Sequence, residues 1–286
     1  MIPTNRDRGV DEGQKVGRLL AALAVTLMMT ACGVPDETSD TAPTTALDQA
    51  VGEELPQGNE PVELDPGDFT TEIDNPYWPM VPGTRWTYRE VDPEGMKEVV
   101  VVVTTDTKTL ANGITARVIR DTVTVDGEII EDTFDWYAQD GDGNIWYLGE
   151  DTAEFEDGQL ASREGSFEAG VDGALAGVAM PGSPVDGMAY RQEYYKGEAE
   201  DNGEVLSTEE MAQVPAGQYD GVLLTKDTIA LEPDVLEFKL YAPGVGPVLV
   251  FGVSGGGGRE ELLSVTQVSA RVAMTAGTTP LGKPYD

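Results

Sequence analysis

The chemistry-bearing residues of this chain are carboxylates and aromatics. Glu193-Tyr194-Tyr195-Lys196-Gly197-Glu198-Ala199-Glu200-Asp201 sets four carboxylates around two tyrosines. On a strand, Glu193 and Tyr195 share one face and Tyr194 takes the other. Glu193, Tyr195, Glu198, Glu200 and Asp201 are therefore candidate ligand-binding residues, for a hard cation held by oxygens or for a sugar. The alternative is a strand end followed by a solvated acidic loop. Asp140-Gly141-Asp142-Gly143-Asn144 places oxygens at positions 1, 3 and 5 of a loop, so Asp140, Asp142 and Asn144 are candidate metal ligands. A calcium loop of this spacing needs Gly at its sixth position and a bidentate Glu at its twelfth. Here those places hold Ile145 and Asp151. These departures, and flanks that read as strands, favour a polar hairpin loop.

What is missing narrows the chemistry further. The chain has no His and a single Cys, Cys32. Ser-His-Asp and Cys-His machinery is excluded, as are zinc sites built on His or Cys. Haem and iron–sulfur sites with their usual ligands are excluded too. A hydrolase here would depend on carboxylates, Lys, Tyr or a Ser-Lys pair. For acid-pair glycoside chemistry the separation of the two carboxyls decides, and a sequence gives no separations.

Cys32 has a context of its own. Arg6, Arg8, Lys15 and Arg18 make a basic start, and no charge falls between Leu19 and Ala31. That run is too short for a spanning helix of about 20 apolar residues. A basic start, a short apolar core and small residues before a cut site describe a signal peptide over residues 1–31. Met29-Thr30-Ala31-Cys32-Gly33 resembles the lipobox of bacterial lipoprotein precursors, with Met29 where Leu is usual. The resemblance implies diacylglycerol on the Cys32 sulfur and cleavage before it. Each buried methylene then contributes about 0.8 kcal/mol of anchoring, and two or more chains hold stably. The expected location is extracytoplasmic, on the cell surface or in the periplasm. In an organism with two membranes, Gly33 after the Cys resembles precursors sorted to the outer one.

Beyond residue 31 the chain carries 14 basic and 49 acidic residues, a net charge of −35. This opposes binding to nucleic acid or to anionic lipid surfaces, since both are held by Lys and Arg, and no nucleic acid is expected as a partner. It favours solubility and attracts cations.

The elements that must position these residues are strands. Residues 32–68 are rich in Pro, Thr, Asp, Glu and Gly, and Phe69 is the first aromatic. Such a stretch reads as a flexible tether. From there to residue 272 the pattern is that of a single antiparallel β domain. Arg85-Trp86-Thr87-Tyr88-Arg89 alternates aromatic and polar residues. Strands follow at Lys97–Thr109, Ile114–Val125 and Glu128–Gln139, with turn signals at Asn112-Gly113, Asp126-Gly127 and Asp157-Gly158. Tight turns at this spacing join neighbours in a meander. The segment Gly165–Gly187 is Gly- and Ala-rich and reads as a long loop, either functional or a plain connector. Strands resume at Ala189–Tyr195, Glu204–Ser207, Glu210–Val214, Gly221–Asp227, Leu236–Ala242, Val248–Val253 and Glu261–Ala270. Four glycines, Gly255 to Gly258, read as a flexible hairpin tip, and residues 273–286 as a disordered tail. The four tryptophans fall mostly on strands, where core packing is the default. The expected fold is mainly β: one large twisted antiparallel sheet, curled or partly closed into a barrel to hide its edges.

Ile73-Asp74-Asn75-Pro76-Tyr77-Trp78-Pro79, Pro82-Gly83-Thr84-Arg85-Trp86-Thr87-Tyr88, Asp135-Trp136-Tyr137-Ala138-Gln139-Asp140 and Tyr241-Ala242-Pro243-Gly244-Val245-Gly246-Pro247-Val248 complete the picture. Together they resemble an uncharacterised family of bacterial, often actinobacterial, secreted β-domain lipoproteins, over residues 69–270. The resemblance implies an envelope location and a β fold, and no activity. The expectation is a lipid-anchored, non-enzymatic envelope lipoprotein whose β domain binds a partner or small ligand, with no cofactor. Two alternatives stand beside it: a carboxylate-dependent hydrolase of wall polysaccharide, and a calcium-stabilised surface domain.

Overall fold

The computed structural model describes residues 55–255 and 257–285. The signal segment, Cys32 and most of the expected tether lie outside the described residues. A 3-10 turn, Pro66–Asp68, precedes the sheet. The strands are β1 Thr84–Asp92, β2 Gly95–Thr109, β3 Thr115–Val125, β4 Glu128–Gln139, β5 Ile145–Glu156, β6 Gln159–Ser162 and β7 Phe167–Glu168. They continue as β8 Gly177–Met180, β9 Ala189–Tyr195, β10 Ala199–Val214, β11 Gly217–Ile229, β12 Leu236–Ala242, β13 Gly246–Ser254 and β14 Arg259–Gln267. One helix, α1, spans Ala270–Thr278.

All fourteen strands form one antiparallel sheet, in the order β6-β5-β4-β3-β2-β1-β14-β13-β12-β11-β10-β9, with β7 and β8 pairing β5 off this path. The connections are meanders, and a single long closure joins β1 to β14. The turn chemistry shows why. Asp126 and Gly127 both take positive φ, 52° and 85°, and so do Asp157 and Gly158, 50° and 70°. Two consecutive positive φ values make the turn whose twist matches paired strands.

The sheet curls until its ends approach without closing. β8 pairs β5 on one side and touches β9 on the other. Leu175 N donates to Tyr194 O at 2.8 Å. A Cβ on Gly177 would stand 2.1 Å from Gln192 O, so only Gly admits this approach of two backbones. The inner face holds the main core, including Trp86, Tyr88, Val103, Ile119, Leu223 and Leu262.

Three regions differ from the sequence expectation. The expected disordered tail is ordered. α1 begins at the cap Ser269, whose Oγ accepts from Val272 N, and it buries Ala273 and Ala276. The reason lies on the outer face of β2–β4, where Arg120 and Asp132 are wholly buried and need cover. Arg120 Nε donates to Asp132 Oδ1 at 2.9 Å, and Nη1 donates to the carbonyls of Ala276 at 3.0 Å and Thr279 at 2.9 Å. The Tyr285 ring lies 4.4 Å from the guanidinium.

The C-terminal part of the expected tether, residues 55–68, is docked. Arg191 Nη1 donates to the carbonyls of Gly58 and Glu60, and Arg191 N donates to Pro56 O. A buried guanidinium needs acceptors, and an extended backbone supplies them. The Gly165–Gly187 segment contains β7 and β8 rather than one long loop. In addition, the segments read as Glu204–Ser207 and Glu210–Val214 belong to one long strand, β10, whose register shifts near Val205, Ser207 and Glu210. At the glycine-rich tip, a Cβ on Gly252 would stand 2.2 Å from the Gly257 Cα. The glycines allow two backbones to meet there.

Candidate binding face

Cross-strand register puts a belt of ionisable groups on the inner face. Asp227 on β11 stands opposite Glu237 on β12 and opposite Gly203 on β10. Lys239 and Tyr241 follow Glu237 at the two-residue period of a strand. Glu193 on β9 stands directly opposite Asp201 on β10. Asp135 on β4 stands opposite Glu150 on β5, and Tyr137 opposite Tyr147.

The aromatic members form a row. Tyr137 and Tyr147 stack with centroids 4.9 Å apart and planes at 28°. Trp78 leans on Tyr137 at 5.5 Å and on Tyr241 at 5.8 Å. Tyr147 Oη donates to Asp135 Oδ1 at 2.9 Å. Burial, then the nearby carboxylates Asp135 and Glu150, hold the Tyr137 and Tyr147 hydroxyls well above the usual phenol range, so both stay protonated.

The charged members form two units. Asp227 accepts from Lys239 Nζ at 2.8 Å, from Gln192 Nε2 at 3.0 Å and from Thr225 Oγ1 at 2.8 Å. Burial opposes the charge on Lys239, but Asp227, Tyr241 and Glu237 together more than offset it, and the ammonium's pKa rises. The second unit is the Glu193–Asp201 pair, directly opposite each other in the β9–β10 ladder. Burial, then Asp201 and Glu150, push the Glu193 carboxyl well above the usual range. Burial also raises Asp201. One proton shared between two acids is the arrangement that like charges at close range enforce.

The structure thus joins two of the sequence-predicted residues and separates the rest. Tyr195 stands opposite Ala199 at the β9–β10 turn. Glu198 is exposed. Glu200 Oε1 accepts from Gly197 N at 2.9 Å and so shapes the turn. In the other candidate loop, Asp140 Oδ1 accepts from the backbone N of Asp142 and Asn144, and Oδ2 accepts from Asn144 Nδ2 and Trp146 Nε1. Asn144 Oδ1 accepts from Gly182 N at 2.8 Å. These oxygens hold loop and strand together. Among the described residues, no group of three or more acidic side chains gathers in a way that could hold a metal ion.

Three tryptophans pack as strand residues. Trp86 Nε1 donates to Val245 O at 2.7 Å. Lys108 Nζ lies 3.1 Å above the Trp136 ring. Trp146 carries the Asp140 contact just described. Trp78 alone joins the aromatic row. Asp227, Lys239, Asp135 and Glu150 lie on strands far apart in the chain. For Lys239 the signal in the sequence is alternation, Glu237 and Lys239 set between the apolar Leu236, Phe238 and Leu240; the strands of Asp135, Glu150 and Asp227 carry no such pattern.

No family model matches the chain, and no curated protein matches it. Two solved structures resemble it. One is a "putative exported protein with YmcC-like fold" from Bacteroides fragilis, at 14% identity and TM-score 0.42, covering 67% of this chain and 99% of that one. The other is a "putative lipoprotein" from Parabacteroides distasonis, at 12% identity and TM-score 0.33, covering 66% and 98%. At such identities and scores the likeness says nothing of activity. Neither source is an actinobacterium, so the actinobacterial part of the expected kinship finds no support.

Proposed function

We propose that this protein is an exported, lipid-anchored envelope protein, non-enzymatic, whose inner sheet face binds a small polyhydroxylated ligand, neutral or cationic. The anchor and location rest on the signal segment and Cys32. The binding reading rests on one observation. The Tyr147–Tyr137–Trp78 row is edged by Asp135, Glu150 and the Glu193–Asp201 pair. Flat rings offer stacking surface, and acids beside them offer directional acceptors. The Lys239 ammonium keeps donors beyond its bond to Asp227, which a ligand with many hydroxyls can match in both senses. The surplus of carboxylates disfavours anions.

The test is titration of the purified protein with soluble neutral and amino-sugar oligosaccharides, followed by tryptophan fluorescence, because Trp78 lies in the row. Binding that is lost in Tyr147→Ala and kept in Trp136→Phe supports the reading. A wild-type protein that leaves every such ligand unbound overturns it. For the anchor, mass spectrometry of the native protein should show an acylated Cys32 as the first residue. An intact Met1 would refute it.

A further inference from the structure

β9 is the last strand of the sheet path. Its outer edge is closed by two short clasps. The first is the strap over residues 55–60, where Arg191 N donates to Pro56 O at 2.7 Å and Arg191 Nη1 to Gly58 O at 2.9 Å and Glu60 O at 2.8 Å. The second is the bond from Leu175 N to Tyr194 O. On the inner side, β9 meets β10 through a ladder of six residue pairs. One of those pairs is Glu193 opposite Asp201.

Two carboxylates directly opposite in a ladder repel and weaken it. A proton shared by Glu193 and Asp201 would remove that repulsion. The groups facing the pair offer poor compensation. Glu150 and Tyr147 approach from β5, Asp227 from β11, and Glu237 and Lys239 from β12. Lys239 is the one cation among them, and it is already paired with Asp227 at 2.8 Å.

We propose that the Glu193–Asp201 pair is a proton-operated latch between β9 and β10: a proton shared by the pair keeps their ladder closed, and loss of that proton loosens it. Loosening would expose the backbone groups that the ladder pairs, which an added strand can use. Because burial, Asp201 and Glu150 raise the Glu193 carboxyl, loosening falls above the ordinary carboxylate range. The sign follows from linkage. The folded pKa lies above the unfolded one, so the latch is fully engaged below the unfolded value and is lost as pH rises through the folded value.

Amide hydrogen exchange of the whole protein across neutral and mildly acidic pH, corrected for intrinsic exchange, tests this. Protection over residues 189–195 and 199–204 should fall with rising pH, by up to about tenfold per unit, the limit for one proton. Protection in β1–β3 should stay flat. In Glu193→Gln the amide donates to Asp201 without titrating, so the pH slope should vanish. Should that variant misfold, Asp201→Asn keeps a donor and an acceptor and makes the same comparison. Flat protection over these residues in the wild type, or an unchanged slope in the variant, overturns the latch. No ligand enters this experiment, so its result is independent of the binding test.

Discussion

Asp132→Ala should be the most damaging single change in the sheet. Arg120 and Asp132 side chains are both 0% exposed. Removing one partner of such a pair leaves the other charge buried and uncompensated, at a cost of about 3–5 kcal/mol. The same carboxylate also accepts from Thr122 Oγ1 at 2.9 Å and Gly282 N at 2.7 Å, and both donors would lose their partner. A domain of this size is stable by roughly 5–15 kcal/mol, so the loss is a large fraction of the whole. At about 2–4 °C per kcal/mol, the melting temperature should fall by roughly 6–20 °C. Thermal and urea unfolding followed by circular dichroism give both quantities. Trypsin should then cut at Arg271, because Arg120 holds the segment after α1 through the Ala276 and Thr279 carbonyls. The double variant Arg120→Met with Asp132→Leu should recover at least half of the loss, since no orphaned charge remains. A cost below about 1 kcal/mol for Asp132→Ala, or a double variant no better than the single one, would refute the account of the outer face.

Two further outcomes follow from close contacts. Gly177→Ala places a Cβ 2.1 Å from Gln192 O, whereas Gly141→Ala meets nothing within 4 Å. The first should cost about 1–3 kcal/mol by urea unfolding, and the second should be silent. Glu168 accepts from Lys108 Nζ at 2.8 Å and from Ala111 N at 2.7 Å. Burial pushes its carboxyl up, but these donors more than offset it, and its pKa is lowered. The folded value therefore lies below the unfolded one, so the contribution is present above the unfolded pKa and lost as pH falls through the folded one. Unfolding midpoints measured from neutral to acid pH should show a drop that Glu168→Gln lacks.

The sheet was legible because its turns are written locally. Asp126-Gly127 and Asp157-Gly158 state their own geometry, and the strands on either side follow. The site was legible only in part. Glu193 and Asp201 are joined by a short hairpin, so proximity in sequence reflects proximity in space. Asp227 and Lys239 come together through register between strands, which no local window contains. The C-terminal segment was misjudged because Thr, Gly and Pro look the same in a disordered tail and in a strap held by backbone carbonyls. The missing clue was Arg120. A charge in mid-strand reads as solvent-facing unless something is known to cover it. Residues 55–68 were misjudged for the same reason, with Arg191 as the buried cation.

The placement of the strap residues has a mechanical meaning. Tension passing along the chain into residues 55–60 from their N-terminal side is carried to β9. There it loads the carbonyls of Pro56, Gly58 and Glu60 against one guanidinium and one amide. A pull arriving by that route acts on the end strand of the sheet path before it reaches the central ones.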